Sequence, residues 1–161
     1  MSLQDLLSTI PEKNQHELSV KFLTIGQPIW KDYAINNKNL EYTDTVVGMQ
    51  HKVSHDIIQR TIDLISEEIK SPKSKTKQIA ELHQEFRDPI ISLQDMDWEV
   101  PESVLLIFYS AYNLIESLKG KKETYDDESM IYISINQSID AITREKIKTF
   151  NEINTLLKEN K

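Results

Sequence analysis

An all-α fold, a single-domain bundle of about six helices around a central apolar one, is what this sequence predicts, and three observations predict it. Only three glycines and five prolines occur in 161 residues, which leaves few turn positions for a many-stranded sheet. Apolar residues recur three and four apart through most of the chain, the spacing of a one-sided helix. One segment, VPESVLLIFYSAYNLIESLKG (100–120), is apolar on every side of its helical wheel, as befits a helix that others enclose.

That segment does not read as a membrane span. Its most apolar part, Val104 to Ile115, is 12 residues long and includes Ser110 and Asn113, whereas a span needs roughly 20 apolar residues. The expectation is a buried helix over about 101–118, with Gly120 at the C′ position that ends it. A chain of this length makes one domain, 1–161, with a core that needs no metal or disulfide. The absence of cysteine removes disulfides, thiol nucleophiles and cysteine-based zinc sites. MSLQDLLSTIPEK carries neither a basic leader nor an apolar run, so a cytoplasmic protein is expected.

The first helix gathers Leu3, Leu6, Leu7 and Ile10 on one face, with Ser2 to cap it and Pro11 at its end. The second runs from about Glu12 to Ile35, with Leu18, Phe22, Ile25 and Ile29 in register and a kink or break expected at Gly26 and Pro28. A third is expected from Thr43 or Asp44 to about Lys70, its stripe including Val46, Met49, Val53, Ile57 and Ile65. A basic connection, SPKSKTK (71–77), leads to a fourth anchored by Ile79, Leu82 and Phe86, then to a short helical turn and loop between Pro89 and Pro101. After the apolar fifth helix, residues 126–160 form one helix or two joined near Thr143, with Asp126 and Asp127 suited to open it and the Lys146 stem lying along its stripe. In MIYISI the isoleucines 131, 133 and 135 also alternate with period two, which leaves a strand there as the alternative.

Candidate chemistry is sparse. His51 and His55 stand at i and i+4 of the third helix, a spacing right for two ligands of one metal. Zinc requires a third ligand and a supporting shell, and only Asp56 is near, so two surface histidines are the reading and no metal is expected. Counting from Asp95, the glycine and glutamate that an EF-hand loop requires are replaced by Val100 and Leu106. Phosphate-binding glycine loops and nucleophile motifs are absent, and no cofactor or catalytic residue is assigned. His16 and His83 have polar neighbours and read as solvated. The lysines at 70, 73, 75 and 77 have no interleaved aromatic to stack on bases, and a formal charge of −7 argues against a nucleic-acid partner.

The charge is concentrated. Between Glu81 and Glu102, seven carboxylates face the single Arg87, a net −6 within 22 residues of a chain whose total is −7. Met96 and Trp98 sit inside this stretch, and tryptophan is a preferred interface anchor. A concentrated negative field steers a basic partner. The competing reading is a solvated loop whose Trp98 tucks beneath the fifth helix.

IPEKNQHELSVKFLTIGQPIWKDYA (10–34), IIQRTIDLISEEI (57–69) and DMDWEVPESVLLIFYSAYNLIESLKG (95–120) resemble, in that order, segments of the bacterial YjaG-like family of uncharacterised helical proteins. In pattern they are also similar to the all-helical immunity proteins of bacterial polymorphic-toxin systems. The landmarks are Pro11, Pro28 with Trp30 and Tyr33, the DLISEEI segment, and the acid-rich loop before the apolar helix. The YjaG-like group implies no agreed activity. The immunity resemblance implies a non-enzymatic inhibitor that binds a basic toxin domain, with Asp95, Asp97, Trp98, Glu99, Glu102, Trp30 and Tyr33 as its partner-binding residues. Two rivals stand beside it: a housekeeping or structural protein that forms a homodimer, and a helical enzyme whose metal is held by His51, His55 and carboxylates of another helix.

Overall fold

Helix signals in the sequence become seven helices among the described residues: α1 (Leu3–Ser8), α2 (Glu12–Asn36), α3 (Ile57–Lys70), α4 (Thr76–Asp95), α5 (Glu102–Leu118), α6 (Met130–Arg144) and α7 (Phe150–Lys158). Between α2 and α3 lie two short strands, β1 (Glu41–Thr43) and β2 (Gln50–Lys52), paired antiparallel with Tyr42 opposite His51. The computed structural model describes residues 2–37, 40–43, 48, 50–95, 100–120 and 128–160, with backbone alone at 41–43, 50–51 and 91–95.

Local chemistry sets the helix ends. Ser2 and Asp5 cap α1 reciprocally: the Asp5 N–H donates to Ser2 Oγ (3.1 Å) and the Ser2 N–H to Asp5 Oδ2 (3.0 Å). Thr149 and Glu152 repeat the arrangement at the start of α7. Ser129 caps α6 through the Tyr132 N–H, while Asp126 and Asp127, expected there, lie outside the described residues. Gly120 closes α5 at φ +101°, a backbone region that glycine enters without a Cβ penalty.

Several boundaries differ from the periodicity reading. The second helix does not break; it runs unbroken from Glu12 to Asn36 with Pro28 inside it. The third begins at Ile57, not near Thr43, because residues 41–43 and 50–52 find hydrogen-bond partners in each other. The fourth continues through Pro89 to Asp95. The last segment, by contrast, takes one of its two expected forms, a pair of helices that part just after Thr143, with MIYISI helical in the first. Lys146 sits in the turn between them at φ +55°, so its stem does not extend an apolar stripe.

Two clusters of buried side chains hold the helices. The larger surrounds α5, where Val104, Ile107, Phe108, Ala111, Leu114 and Ile115 meet Trp30 of α2, Ile58 and Ile65 of α3, and Phe86 of α4. No residue of α5 between Ser103 and Leu118 is exposed, which is why this helix carries apolar side chains all round. Each large aliphatic buried there contributes roughly 1.5–3 kcal/mol. The smaller cluster joins Leu7 and Ile10 to Leu18 and Phe22 of α2, Ile135 and Ile142 of α6, and Ile153 and Leu157 of α7. The long helix α2 thus serves both cores from opposite faces.

Polar groups cross the interior in one regular pattern. Ser103, Ser110 and Ser117 stand seven apart on α5 and all are buried. Ser103 Oγ donates to Glu145 Oε1 (2.6 Å), and Ser117 Oγ lies 3.3 Å from His16 Nε2. Ser110 Oγ donates to the Ser134 carbonyl (2.7 Å) while Ser134 Oγ donates back to the Ser110 carbonyl (2.8 Å). With those protons placed, Ser138 Oγ donates to Ser110 Oγ and Ser19 Oγ to Ser134 Oγ. Small hydroxyl side chains let α5 and α6 approach closely, and each buried hydroxyl has a partner, which removes the desolvation cost.

Candidate functional site

The residues singled out by the sequence separate into three groups. Trp30 is a correction: only 2% exposed, it stacks on Phe108 and its indole N–H donates to the Ser54 carbonyl at 3.4 Å, so it is core and not a surface anchor. Asp97, Trp98 and Glu99 lie outside the described residues, as does the side chain of Asp95. Tyr33 is half-buried on α2, and Glu102 opens α5, where it pairs with Arg144.

Tyr33 lines a groove of about 370 Å³ between α2, the first turn of α5 and the α6–α7 turn. Its walls are Pro28, Ile29 and Asp32 of α2, Pro101, Ser103 and Val104 of the α5 entrance, and Glu145 and Ile147 of the turn. Two bonds hold these walls in place. Ser103 ties Glu145 to α5, and Arg144 Nη1 pairs with Glu102 Oε2 at 3.0 Å. Asp32 and Glu145 are its two charged lining groups, both acidic. Asp32 makes no hydrogen bond or ion pair among the described residues. Ile147 is 43% exposed, and Phe150, three residues on, is 71% exposed.

The rest of the acid-rich stretch points elsewhere. Glu85 receives both Arg60 guanidinium nitrogens (3.0 and 2.7 Å) across the α3–α4 contact. Arg60 is further engaged by Asp56, and these carboxylates push its pKa above the usual arginine range, Glu85 first. Glu81 and Glu85 line a second cleft, about 320 Å³, with Asp63 and Glu67 of α3 over Leu64 and Leu82. The Ser54 hydroxyl, 2.6 Å from Asp56, holds that carboxyl below its ordinary value.

The histidines are placed differently from expectation. Residue 51 lies in β2 and His55 in the exposed turn before α3, so the i, i+4 helical spacing that suggested two metal ligands does not exist. No group of three or more metal-ligating side chains gathers among the described residues. His16 is 7% exposed, not solvated. His83 is mostly buried between α4 and α5, with Nε2 2.5 Å from Glu116 Oε1, Nδ1 3.2 Å from Lys119 Nζ, and its ring stacked on Tyr112. Burial first, then the Glu116 carboxylate, pushes the Tyr112 hydroxyl up to about 12. The basic connection is internally satisfied: the Glu68 carboxylate accepts the Lys73 and Lys75 N–H groups, while Lys75 pairs with Glu67 at 2.9 Å.

Sequence reading missed Asp32, Glu145, Ile147 and Phe150, which carry no motif and gather only through folding. No described helix is long and apolar enough to cross a membrane. No family model matches the chain, and no curated protein or solved structure matches it.

Proposed function

We propose that this chain is a non-enzymatic binding protein of the immunity type, which neutralises a basic toxin domain by docking it against the carboxylate-bearing face at the entrance to α5. The observation that carries this reading is a groove at the entrance to α5, lined by Tyr33, Pro101 and the half-exposed Ile147, whose two charged lining groups, Asp32 and Glu145, are both acidic. The acid-rich segment enters α5 at the same place, through Pro101. Aromatic and aliphatic anchors rimmed by charge of one sign suit a protein partner of the opposite sign.

The test is a pull-down with the products of neighbouring genes, followed by Glu102→Lys combined with Asp95→Lys, Asp97→Lys and Glu99→Lys. Capture of a basic toxin domain whose affinity falls with salt and collapses in the charge-reversed variant supports the reading. A captured partner indifferent to both overturns the electrostatic mechanism. A second reading, a YjaG-like homodimer, is favoured by the exposure of Ile35, Ile147 and Phe150; light scattering of the purified chain separates it, since an immunity-type inhibitor is expected to run as a monomer until its partner is added.

A further inference from the structure

We infer that the α2–α5–turn groove anchors a basic amphipathic segment of the partner, an apolar side chain seating between Tyr33 and Ile147 while a neighbouring lysine or arginine pairs with Asp32. The inference rests on the protein-binding reading above and names the chemistry that would be recognised. A space of about 370 Å³ is more than twice the roughly 150 Å³ in which an apolar cavity holds benzene, so one aromatic or two aliphatic groups fit. The floor is apolar, made by Ile29 and Val104.

Charge selects the rest of the segment. Glu145 already accepts the Ser103 hydroxyl, which leaves Asp32 as the lining carboxylate that makes no hydrogen bond or ion pair among the described residues. An acidic segment would meet two like charges, and a purely apolar one would leave Asp32 partly desolvated without a counter-ion. A cation beside the apolar anchor answers both. The walls are preformed by the Ser103–Glu145 and Glu102–Arg144 ties, so little ordering opposes binding.

The probe is a synthetic leucine–lysine amphipathic helix, with a leucine–glutamate helix of the same length as its counterpart, each titrated into the full ¹⁵N-labelled chain. The leucine–lysine peptide should shift amide resonances of Ile29 to Tyr33, Val104 and Ile147. Asp32→Lys and Ile147→Asp should each weaken it at least about tenfold; Asp32 is exposed, so that variant keeps the test valid if Ile147→Asp misfolds. Shifts confined to the α3–α4 cleft, equal binding of the leucine–glutamate peptide, or indifference to Asp32→Lys would overturn the inference. So would a concentration-dependent dimer that Ile147→Asp dissociates, because the occupant would then be a second copy. Peptide mapping does not depend on which protein the pull-down recovers. A toxin captured without groove involvement therefore sinks this inference alone, and a mapped groove with no toxin partner sinks only the immunity reading.

Discussion

Trp30 stacks on Phe108 with ring centroids 5.0 Å apart and planes inclined by 25°. Phe86 leans on the same Phe108 ring at 4.8 Å, so a single phenyl group joins α2, α4 and α5. Truncating it should open a cavity that three helices cannot all close. Phe108→Ala is expected to cost about 3–5 kcal/mol, read from urea unfolding. Phe108→Asp, which buries an unpaired carboxylate, should not fold. A Phe108→Asp protein with a native far-UV dichroism spectrum would remove α5 from the centre of the bundle.

The second prediction concerns His83. Its Nε2–H donates to Glu116, while Nδ1 faces the Lys119 ammonium and must accept. The two partners differ, one a carboxylate that accepts and the other an ammonium that donates, and so select the Nε2–H tautomer. Nitrogen NMR should find the proton on Nε2. Hydrogen bonds to charged groups contribute about 1.5–3 kcal/mol, so Glu116→Ala should destabilise within that range. Lys119 is exposed, and Lys119→Ala should change stability by no more than about 0.5 kcal/mol. Equal losses from the two variants would contradict this ordering.

Tyr112 supplies a pH dependence. Burial, reinforced by the Glu116 carboxylate, pushes its hydroxyl up to about 12, whereas an unfolded tyrosine ionises near 10. Between those values the unfolded chain has lost the proton and the native chain keeps it, so stability falls as pH rises. The contribution is complete below about pH 10 and is lost toward pH 12. Wild type should therefore lose more stability than Tyr112→Phe across that window, and ultraviolet titration should find a late-forming tyrosinate in wild type that Tyr112→Phe lacks, beside that of Tyr109, which burial also pushes up. Parallel alkaline profiles for the two proteins would show the hydroxyl to be ordinary.

Ser110 sits at the middle of the buried hydroxyl network. Ser110→Ala leaves the Ser138 hydroxyl without its acceptor and the Ser134 carbonyl with one donor fewer, at an expected cost of about 1–3 kcal/mol. Ser110→Leu adds volume where α5 and α6 are closest and should cost more than Ser110→Ala. A Ser110→Ala protein as stable as wild type would mean that the network contributes spacing alone.

How much of this was legible depended on the range of each interaction. The position of α5 was legible because a helix enclosed on all sides must be apolar on all sides. The serines at 103, 110 and 117 are equally visible as a spacing of seven, but serine spacing alone does not distinguish a buried hydroxyl seam from a solvated stripe. The start of α3 was misplaced because Val46, Met49 and Val53 continue a helical period, while pairing of 41–43 with 50–52 is a partnership that no local window contains. His16 and His83 looked solvated because their neighbours in sequence are polar, but their partners lie 101 and 33 residues away. The groove draws on three separated segments, so of its lining residues the sequence named Tyr33 and overlooked Asp32, Glu145 and Ile147.

Gly26 shows the same long-range control over a local rule. Glycine and Pro28 within three residues favour a break by propensity alone, yet α2 passes through both. A Cβ at position 26 would come far inside the van der Waals contact distance of Ile107 Cδ1, while touching Ile142 at an ordinary distance. The missing side chain therefore makes room for α5. Ile107 Cδ1 is the end of a flexible chain and can turn aside for one methyl group. Alanine also gains about 1 kcal/mol of helix propensity, so Gly26→Ala should have a small net effect. A leucine cannot be accommodated, and Gly26→Leu should destabilise by about 3 kcal/mol. Adding Ile107→Ala to Gly26→Leu should cost less than the sum of the single changes, with a coupling of about 0.5–3 kcal/mol. Strict additivity in that cycle would mean that the two residues do not meet and that the helices cross elsewhere.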